Sequence, residues 1–273
     1  MYLIFRSALL QQGRHSRRTL PSHPDRIPTA SRPHPNQHIP TSTEENPMRV
    51  DIWSDLVCPW CWIGKRRFEQ ALAGFAHGDQ IEIVHHSFQL DPTMPADRVV
   101  GQTAMLVATY GMTEAQARAS QVAVERTAAT VGLEYHLVDG FVGNTADAHR
   151  LVQLAGDRGI QDAVVERFYL AHFTQGRSLF DRECLVGLAG EAGLDADEAR
   201  RVLVEGTYAD VVDGDAHRAR ALGATGVPFF VVDSRYGVSG AQPPEIFTEA
   251  LSHAWADIHP SDEGADQTVE SSA

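Results

Sequence analysis

Two cysteines separated by a proline and a tryptophan, Cys58-Pro59-Trp60-Cys61, stand where an alternating stretch gives way to a helical one. No other feature constrains the fold as much. Upstream, Arg49 to Asp55 alternates apolar and polar side chains, which predicts a strand with one exposed face. Downstream, Cys61, Phe68 and Leu72 recur at helical spacing and predict a buried helix face. Pro59 falls in the first turn, where its missing N–H would have had no partner anyway. Ile81 to Leu90 reads as a second strand, stopped by Asp91-Pro92. Strand, helix and strand within about 40 residues make a βαβ unit.

A cysteine pair at a helix start has chemistry built into its position. The free N–H groups and the positive end of the helix dipole favour a thiolate at the first cysteine, so Cys58 is the expected nucleophile. Cys61, one turn on, is placed to attack a mixed disulfide formed on Cys58 and release the substrate. The competing readings are structural zinc and inert packing. Zinc asks for four ligands, yet only Cys184 remains, and His85-His86 lacks the spacing of a ligand pair, so no metal is expected. Disulfide exchange needs no metal and no dissociable organic cofactor.

From about Arg98 to Leu222 the pattern is helical. It predicts separate helices over 113–131, 145–157, 160–174 and 195–205, with capping boxes at Thr113/Gln116 and Asp195/Glu198. Gly132, Gly159, Gly176 and Gly193 mark boundaries. Strand character returns over 227–232 and 236–239, joined by the turn Asp233-Ser234-Arg235, and a last helix covers 245–255. The order β-α-β, helical block, β-β-α resembles an α/β thioredoxin fold split by an α-helical insertion. The expected organisation is a thioredoxin domain over 48–91 and 207–258, with a helical insertion over 92–206.

The resemblance extends to particular residues. Asp55-Leu-Val-Cys58-Pro-Trp-Cys61-Trp-Ile-Gly-Lys-Arg-Arg-Phe-Glu69, Asn144-Thr-Ala-Asp-Ala-His-Arg-Leu151 and Gly226-Val-Pro-Phe-Phe230 resemble the DsbA-like thioredoxin superfamily. Within it they are most similar to the FrnE-like branch, near 2-hydroxychromene-2-carboxylate isomerase and kappa-class glutathione transferase. The resemblance implies a cis bond before Pro228, facing the cysteines, with Val227 backbone groups that pair with an extended peptide. It implies a dithiol oxidoreductase or disulfide isomerase acting on protein or peptide thiols and disulfides, with glutathione as a candidate co-substrate. The isomerase and transferase branches generally have Ser where this chain has Cys58. The alternatives are a glutathione-dependent isomerase or transferase on a small aromatic or polyketide-like compound, and a non-catalytic, chaperone-like binding module. The resemblance also admits a homodimer.

Other residues carry two readings each. Pro59 and Trp60 are expected to touch substrate; Trp60 brings no charge, which predicts a less oxidising pair than one with histidine there. Lys65, the only lysine, lies with Arg66 and Arg67 about 10 Å along the helix and reads as a solvated face, or as a contact for an anion such as glutathione. Asn144 suits a helix cap or a substrate contact, and His149 a structural histidine or a residue beside the thiol. Asp55 is either a turn cap or a proton relay to Cys61, and Cys184 reads as a buried small hydrophobe.

Charge bounds the partners. Of the 273 residues, 1–47 hold six arginines, three acids and seven of the 14 prolines, and read as a disordered leader. That leader is either a product of start-site choice or a targeting segment. The remaining residues hold 17 basic and 33 acidic side chains, net −16, which disfavours nucleic acid as a partner. No apolar run approaches the roughly 20 residues of a membrane helix. The expected location is the cytoplasm, and 259–273 reads as a disordered acidic tail.

Overall fold

The computed structural model describes residues 48–259. The expected leader, and the expected tail beyond His259, lie outside these residues. In chain order the elements are β1 (Arg49–Ser54), α1 (Pro59–Ala73), β2 (Glu82–Ser87), β3 (Val99–Gly101), α2 (Gln102–Tyr110), α3 (Glu114–Ala129), β4 (Phe141–Gly143), α4 (Ala146–Asp157) and α5 (Gln161–Tyr169). Helix α5 widens into a π-helical turn, Leu170–Thr174. Then come α6 (Arg182–Glu191), α7 (Ala196–Glu205), α8 (Ala209–Ala221), β5 (Phe229–Val232), β6 (Tyr236–Ser239) and α9 (Pro244–Ile258).

The main sheet has the order β2-β1-β5-β6. Strands β1 and β2 run parallel, with α1 as their crossover, whereas β5 is antiparallel to both β1 and β6. Its four strands thus come from the two ends of the described chain. The β5–β6 hairpin turns through Asp233 and Ser234, whose φ values of 48° and 56° are left-handed, and closes with Arg235 N–H on the Val232 carbonyl at 3.0 Å. With its alternation, the fold is the expected α/β thioredoxin-like one.

Both faces of the sheet are covered. Val50, Ile52, Phe230 and Val232 pack with Phe68 of α1 and with Phe247 and Leu251 of α9. The rings of Phe68, Phe230 and Phe247 lie 4.7 to 5.7 Å apart, and such pairs add about 0.5–1.5 kcal/mol each beyond their burial. On the other face Trp53, Phe229 and Val231 join a larger core with the helices between β2 and β5.

This double cover corrects the expectation that β1 has a solvent face: every residue after Arg49 is buried. Asp51, one of the polar positions in the alternation, enters a buried network instead of water. Its carboxylate takes Arg49 Nη2 at 2.6 Å and His86 Nε2 at 2.5 Å. The other His86 nitrogen lies 3.1 Å from Asp215 of α8. Asp215 also accepts from Ser87 N–H, Gln153 and Arg218, and its own carbonyl takes the Trp53 indole N–H. Trp53 stacks on His86 with centroids 4.5 Å apart. Burial opposes the charge of His86, but Asp215 and Asp51 more than offset it and raise its pKa. Burial likewise opposes both carboxylates, and their partners together more than offset that, His86 with Arg49 at Asp51 and His86 with Ser87 N–H and Arg218 at Asp215, holding them below the usual range.

The four expected helices of the middle segment are present, the third continuing into the π-turn. Thr113 and Gln116 form a reciprocal capping box at α3, and Asp195 accepts the Glu198 N–H at α7. Gly132, Gly159, Gly176 and Gly193 all have positive φ, as boundary glycines should. Helices α2, α6 and α8 and the short β3–β4 pair had no separate sequence expectation.

Candidate active site

Cys58 is the residue before the first turn of α1. Its own N–H is held by the Asp55 carbonyl at 3.1 Å, while its carbonyl takes the Cys61 N–H at 3.0 Å. These bonds hold both thiols at the helix start. The Cys58 thiol donates to the carbonyl of Val227, 3.7 Å away and on the segment leading into β5. The next peptide bond, Val227–Pro228, is cis, as the resemblance implied. Gly64, on the second turn of α1, lets the Pro228 ring approach the helix: a Cβ built there would lie 2.9 Å from Pro228 Cγ.

Both cysteines are free and each is only 2% exposed. Burial pushes the Cys61 thiol well above its usual pKa, and the neighbouring Cys58 adds to the shift. The middle segment supplies the surroundings. Tyr135 donates its hydroxyl to the Pro59 carbonyl at 2.8 Å. Trp62 stacks with Tyr135, Tyr169 and Phe173, and its indole N–H meets Glu166 at 3.0 Å. Burial, and then Cys58, raise the phenols of Tyr110 and Tyr135, so the end of α2 also lies within electrostatic reach of Cys58. A pair of thiols at a helix start, beside the carbonyl that precedes a cis-proline, has the parts for thiol–disulfide exchange.

Residues 49–252 match the family described as the DSBA-like thioredoxin domain. The chain belongs to that family. Among solved structures it is similar to a probable DsbA oxidoreductase from Streptomyces coelicolor, with 52% identity, a TM-score of 0.75, and coverage of 77% of this chain and 91% of that one. It shares its fold with a 2-hydroxychromene-2-carboxylate isomerase at 16% identity and TM-score 0.58, covering 78% and 98%. It also shares it with the cytosolic disulfide reductase DsbM from Pseudomonas aeruginosa at 18% identity and TM-score 0.52, covering 78% and 97%. DsbM is known in addition as a structure with glutathione.

In this DSBA-like protein the remaining candidate residues fall at different depths. Pro59 opens α1, and Trp60 is half-buried against the larger core, its Nε1 enclosed without a hydrogen-bond partner among the described residues. Trp60→His should raise the reduction potential, because an imidazolium can stabilise a thiolate at Cys58 where indole cannot. Equilibration with a glutathione redox buffer measures it, and an unchanged potential would contradict the argument. Val227 is 4% exposed. Asn144 accepts from Ala146 N–H at 2.8 Å, serving the start of α4, and donates to the Met94 carbonyl at 2.6 Å. His149 is buried, with Nε2 3.3 Å from Asp55 Oδ1.

Two expectations need correcting. Lys65 is not on a solvated face: it is 4% exposed and neutralised by Glu69, Asp162 and Glu166, which join α1 to α5. Arg66 shares Glu69 and Glu166, and Arg67 donates to the Ala241 carbonyl. Polar partners arriving from α5 explain the burial, and helical periodicity within α1 carries no sign of them. Cys184 is half-buried, not buried, near the start of α6.

Tyr110, Tyr135, Tyr169 and His172 were missed from sequence because each reaches the site from a distant helix or loop. His172 sits in the π-turn, a geometry that recurs at functional sites. Burial lowers its pKa to about 4, and its Nδ1 has no partner among the described residues. Among the described residues no group of three or more His, Cys, Asp or Glu is arranged to hold a metal.

Proposed function

We propose that the protein is a thiol–disulfide oxidoreductase working through Cys58 and Cys61. The observation that carries this reading is the Cys58 thiol at a helix start, 3.7 Å from the Val227 carbonyl, with a second free cysteine one turn behind it. The Cys58 thiolate attacks one sulfur of a client disulfide, the client S–S bond breaks, and the other client sulfur leaves as a thiolate. Cys61 then attacks Cys58, the mixed disulfide breaks, and the client leaves fully reduced while the protein holds the two-electron-oxidised Cys58–Cys61 disulfide. Run backwards, the same steps oxidise a dithiol client.

Glutathione is the proposed reductant of that disulfide. The low exposure of Cys58 beside Trp60, Tyr110 and Tyr135 favours a small thiol at this position, and the family's DsbM–glutathione structure supports the same choice. That observation also keeps a second reading, a glutathione-dependent enzyme acting on a small molecule. The proposed functional unit is a thioredoxin domain over 48–91 and 207–258, which supply every strand of the main sheet, with 92–206 inserted as the cover. A cytoplasmic location belongs to the proposal; no described helix is long and apolar enough to cross a membrane.

Insulin reduction and refolding of scrambled ribonuclease, on wild type and Cys58→Ser, test the reading. Cys58→Ser should fall to background in both assays. Wild-type activity in neither, or undiminished activity in the variant, would overturn it. A glutathione-dependent activity surviving Cys58→Ser would select the second reading, since a serine can position the thiolate of glutathione without exchanging disulfides.

A further inference from the structure

We propose that Arg220 is a docking point for an acidic side chain of a peptide client, flanking the cysteine that Cys58 attacks. The subsite biases the dithiol towards acidic peptides, and it rests on the dithiol reading above.

Helix α8 ends in a basic turn that carries Arg218 and Arg220. Their partners differ. Arg218 turns inward to the buried carboxylate of Asp215, at 2.6 Å. Arg220 is exposed, and among the described residues it has no acidic partner. Its guanidinium lies over the ring of Phe88 instead, 5.2 Å from the centroid. Phe88 is 7% exposed, so that ring is a fixed platform. A guanidinium held by a ring face keeps its N–H donors free for the two oxygens of a carboxylate. Stacking also orders a long side chain in advance, which lowers the entropy lost on binding.

Two backbone bonds tie this platform to the active site. Phe88 N–H donates to the Ser54 carbonyl at 3.1 Å, and Cys58 N–H donates to the carbonyl of the next residue, Asp55, at 3.1 Å. With consecutive carbonyls as acceptors, the two backbone nitrogens are at most about 12 Å apart. Phe88, Cys58 and Val227 also share one buried cluster. Along the chain, α8 runs into the segment whose Val227 carbonyl meets the Cys58 thiol. Arg220 therefore stands on the rim of the site. An extended peptide covers about 3.3–3.6 Å per residue, so an acid roughly three to five places from the client cysteine reaches it.

Charge singles this cation out. The chain beyond residue 47 is net −16, and most of its surface repels an acidic peptide. Two acids of the neighbouring segments are engaged elsewhere and leave Arg220 unneutralised. Asp215 is held by His86 and Arg218, and Asp91 takes the N–H and hydroxyl of Thr93. A basic residue in a last helical turn also complements the helix dipole. That role would act on stability and would be indifferent to the charge of a client.

Two synthetic peptides test the subsite, each with one cysteine and identical except for Glu or Gln four places from it. Both are activated as mixed disulfides with 2-thiopyridine and mixed with the reduced full chain in a stopped-flow instrument. The Cys58 thiolate forms a bond to the peptide sulfur, the peptide–thiopyridine S–S bond breaks, and the thiopyridone released gives the rate. Cys61 then frees the peptide as a thiol and leaves the protein as its disulfide. At low salt the Glu peptide should react about five-fold faster than the Gln peptide, the upper range for an exposed ion pair. Arg220→Gln should slow the Glu peptide by about that factor, and the uncharged 2,2′-dithiodipyridine by much less. High salt should bring the wild-type ratio towards one.

A wild-type ratio at or below one, a ratio that Arg220→Gln leaves intact, or equal slowing with all three disulfides would overturn the proposal. If Arg220→Gln folds poorly, the wild-type salt series still decides, since a ratio that salt does not move overturns it. Absence of any Cys58-dependent reaction with 2,2′-dithiodipyridine would instead sink the dithiol reading, and this proposal with it.

Discussion

Asp215→Ala should cost the protein about 3–5 kcal/mol, the usual penalty for removing one partner of a buried charge network. The carboxylate is 2% exposed and serves His86, Arg218, Ser87 N–H and Gln153 at once. Without it, protonated His86 faces Asp51 alone, and a buried backbone N–H of β2 loses its acceptor. Helix α8 loses its anchor to β1 and β2. Urea denaturation read by circular dichroism measures the loss. A change below about 1 kcal/mol, the size of a surface substitution or a weak surface pair, would mean the network contributes little.

The same network sets a pH window. Asp51 and Asp215 have folded pKa values below the ordinary 3.8, so their contribution is present above that value and lost as pH falls through the depressed ones. His86 has a folded pKa above the ordinary 6.5, so its contribution is complete below 6.5 and lost as pH rises through the elevated value. The part of stability that Asp215→Ala removes should therefore be largest between those limits and shrink on both sides. A penalty independent of pH would point to packing instead of charge.

Gly64→Ala is expected to impair disulfide exchange more than it impairs folding. The added methyl would stand 2.9 Å from Pro228 Cγ and 3.4 Å from the Ala241 Cα, so something must give. Overpacking of this kind costs about 1–3 kcal/mol. Of the two neighbours the proline ring is nearer, and its displacement carries the adjoining Val227 carbonyl away from Cys58. Insulin reduction should fall well below the folded fraction measured on the same sample. Exchange activity that simply tracks the folded fraction would show that the Val227–Cys58 distance is not what α1 protects.

The sequence displayed the site more fully than its surroundings. The placement of Cys58, Cys61 and Pro228 was legible because a helix start and a strand start each show in the local pattern. The β-α-β and β-β-α ends were legible from alternation and from Pro59. The cover over the thiols was not, because Tyr110, Tyr135, Tyr169 and His172 converge on the site from separate elements between β2 and β5. Alternation also misled in β1: a polar residue at every second place is the pattern of a solvent face, yet Asp51 has His86 across the strand pair and Arg49 beside it. Lys65 misled in the same way, since its three acidic partners include two on α5. Buried charge is visible only when both partners are, and Asp51 lies 35 positions from His86 while Lys65 lies 97 from Asp162.

Cys58 and the Val227 carbonyl are 169 residues apart in the chain, although their atoms touch in the fold. A ribosome adding about 5–20 residues per second makes the second roughly ten to thirty seconds after the first. Throughout that interval the newborn chain carries Cys58 and Cys61 without the carbonyl that Cys58 contacts, and β5 pairs with β1 only once residues 229–232 exist. The order of synthesis thus leaves both cysteines, each 2% exposed in the finished fold, without that contact while the chain is being made.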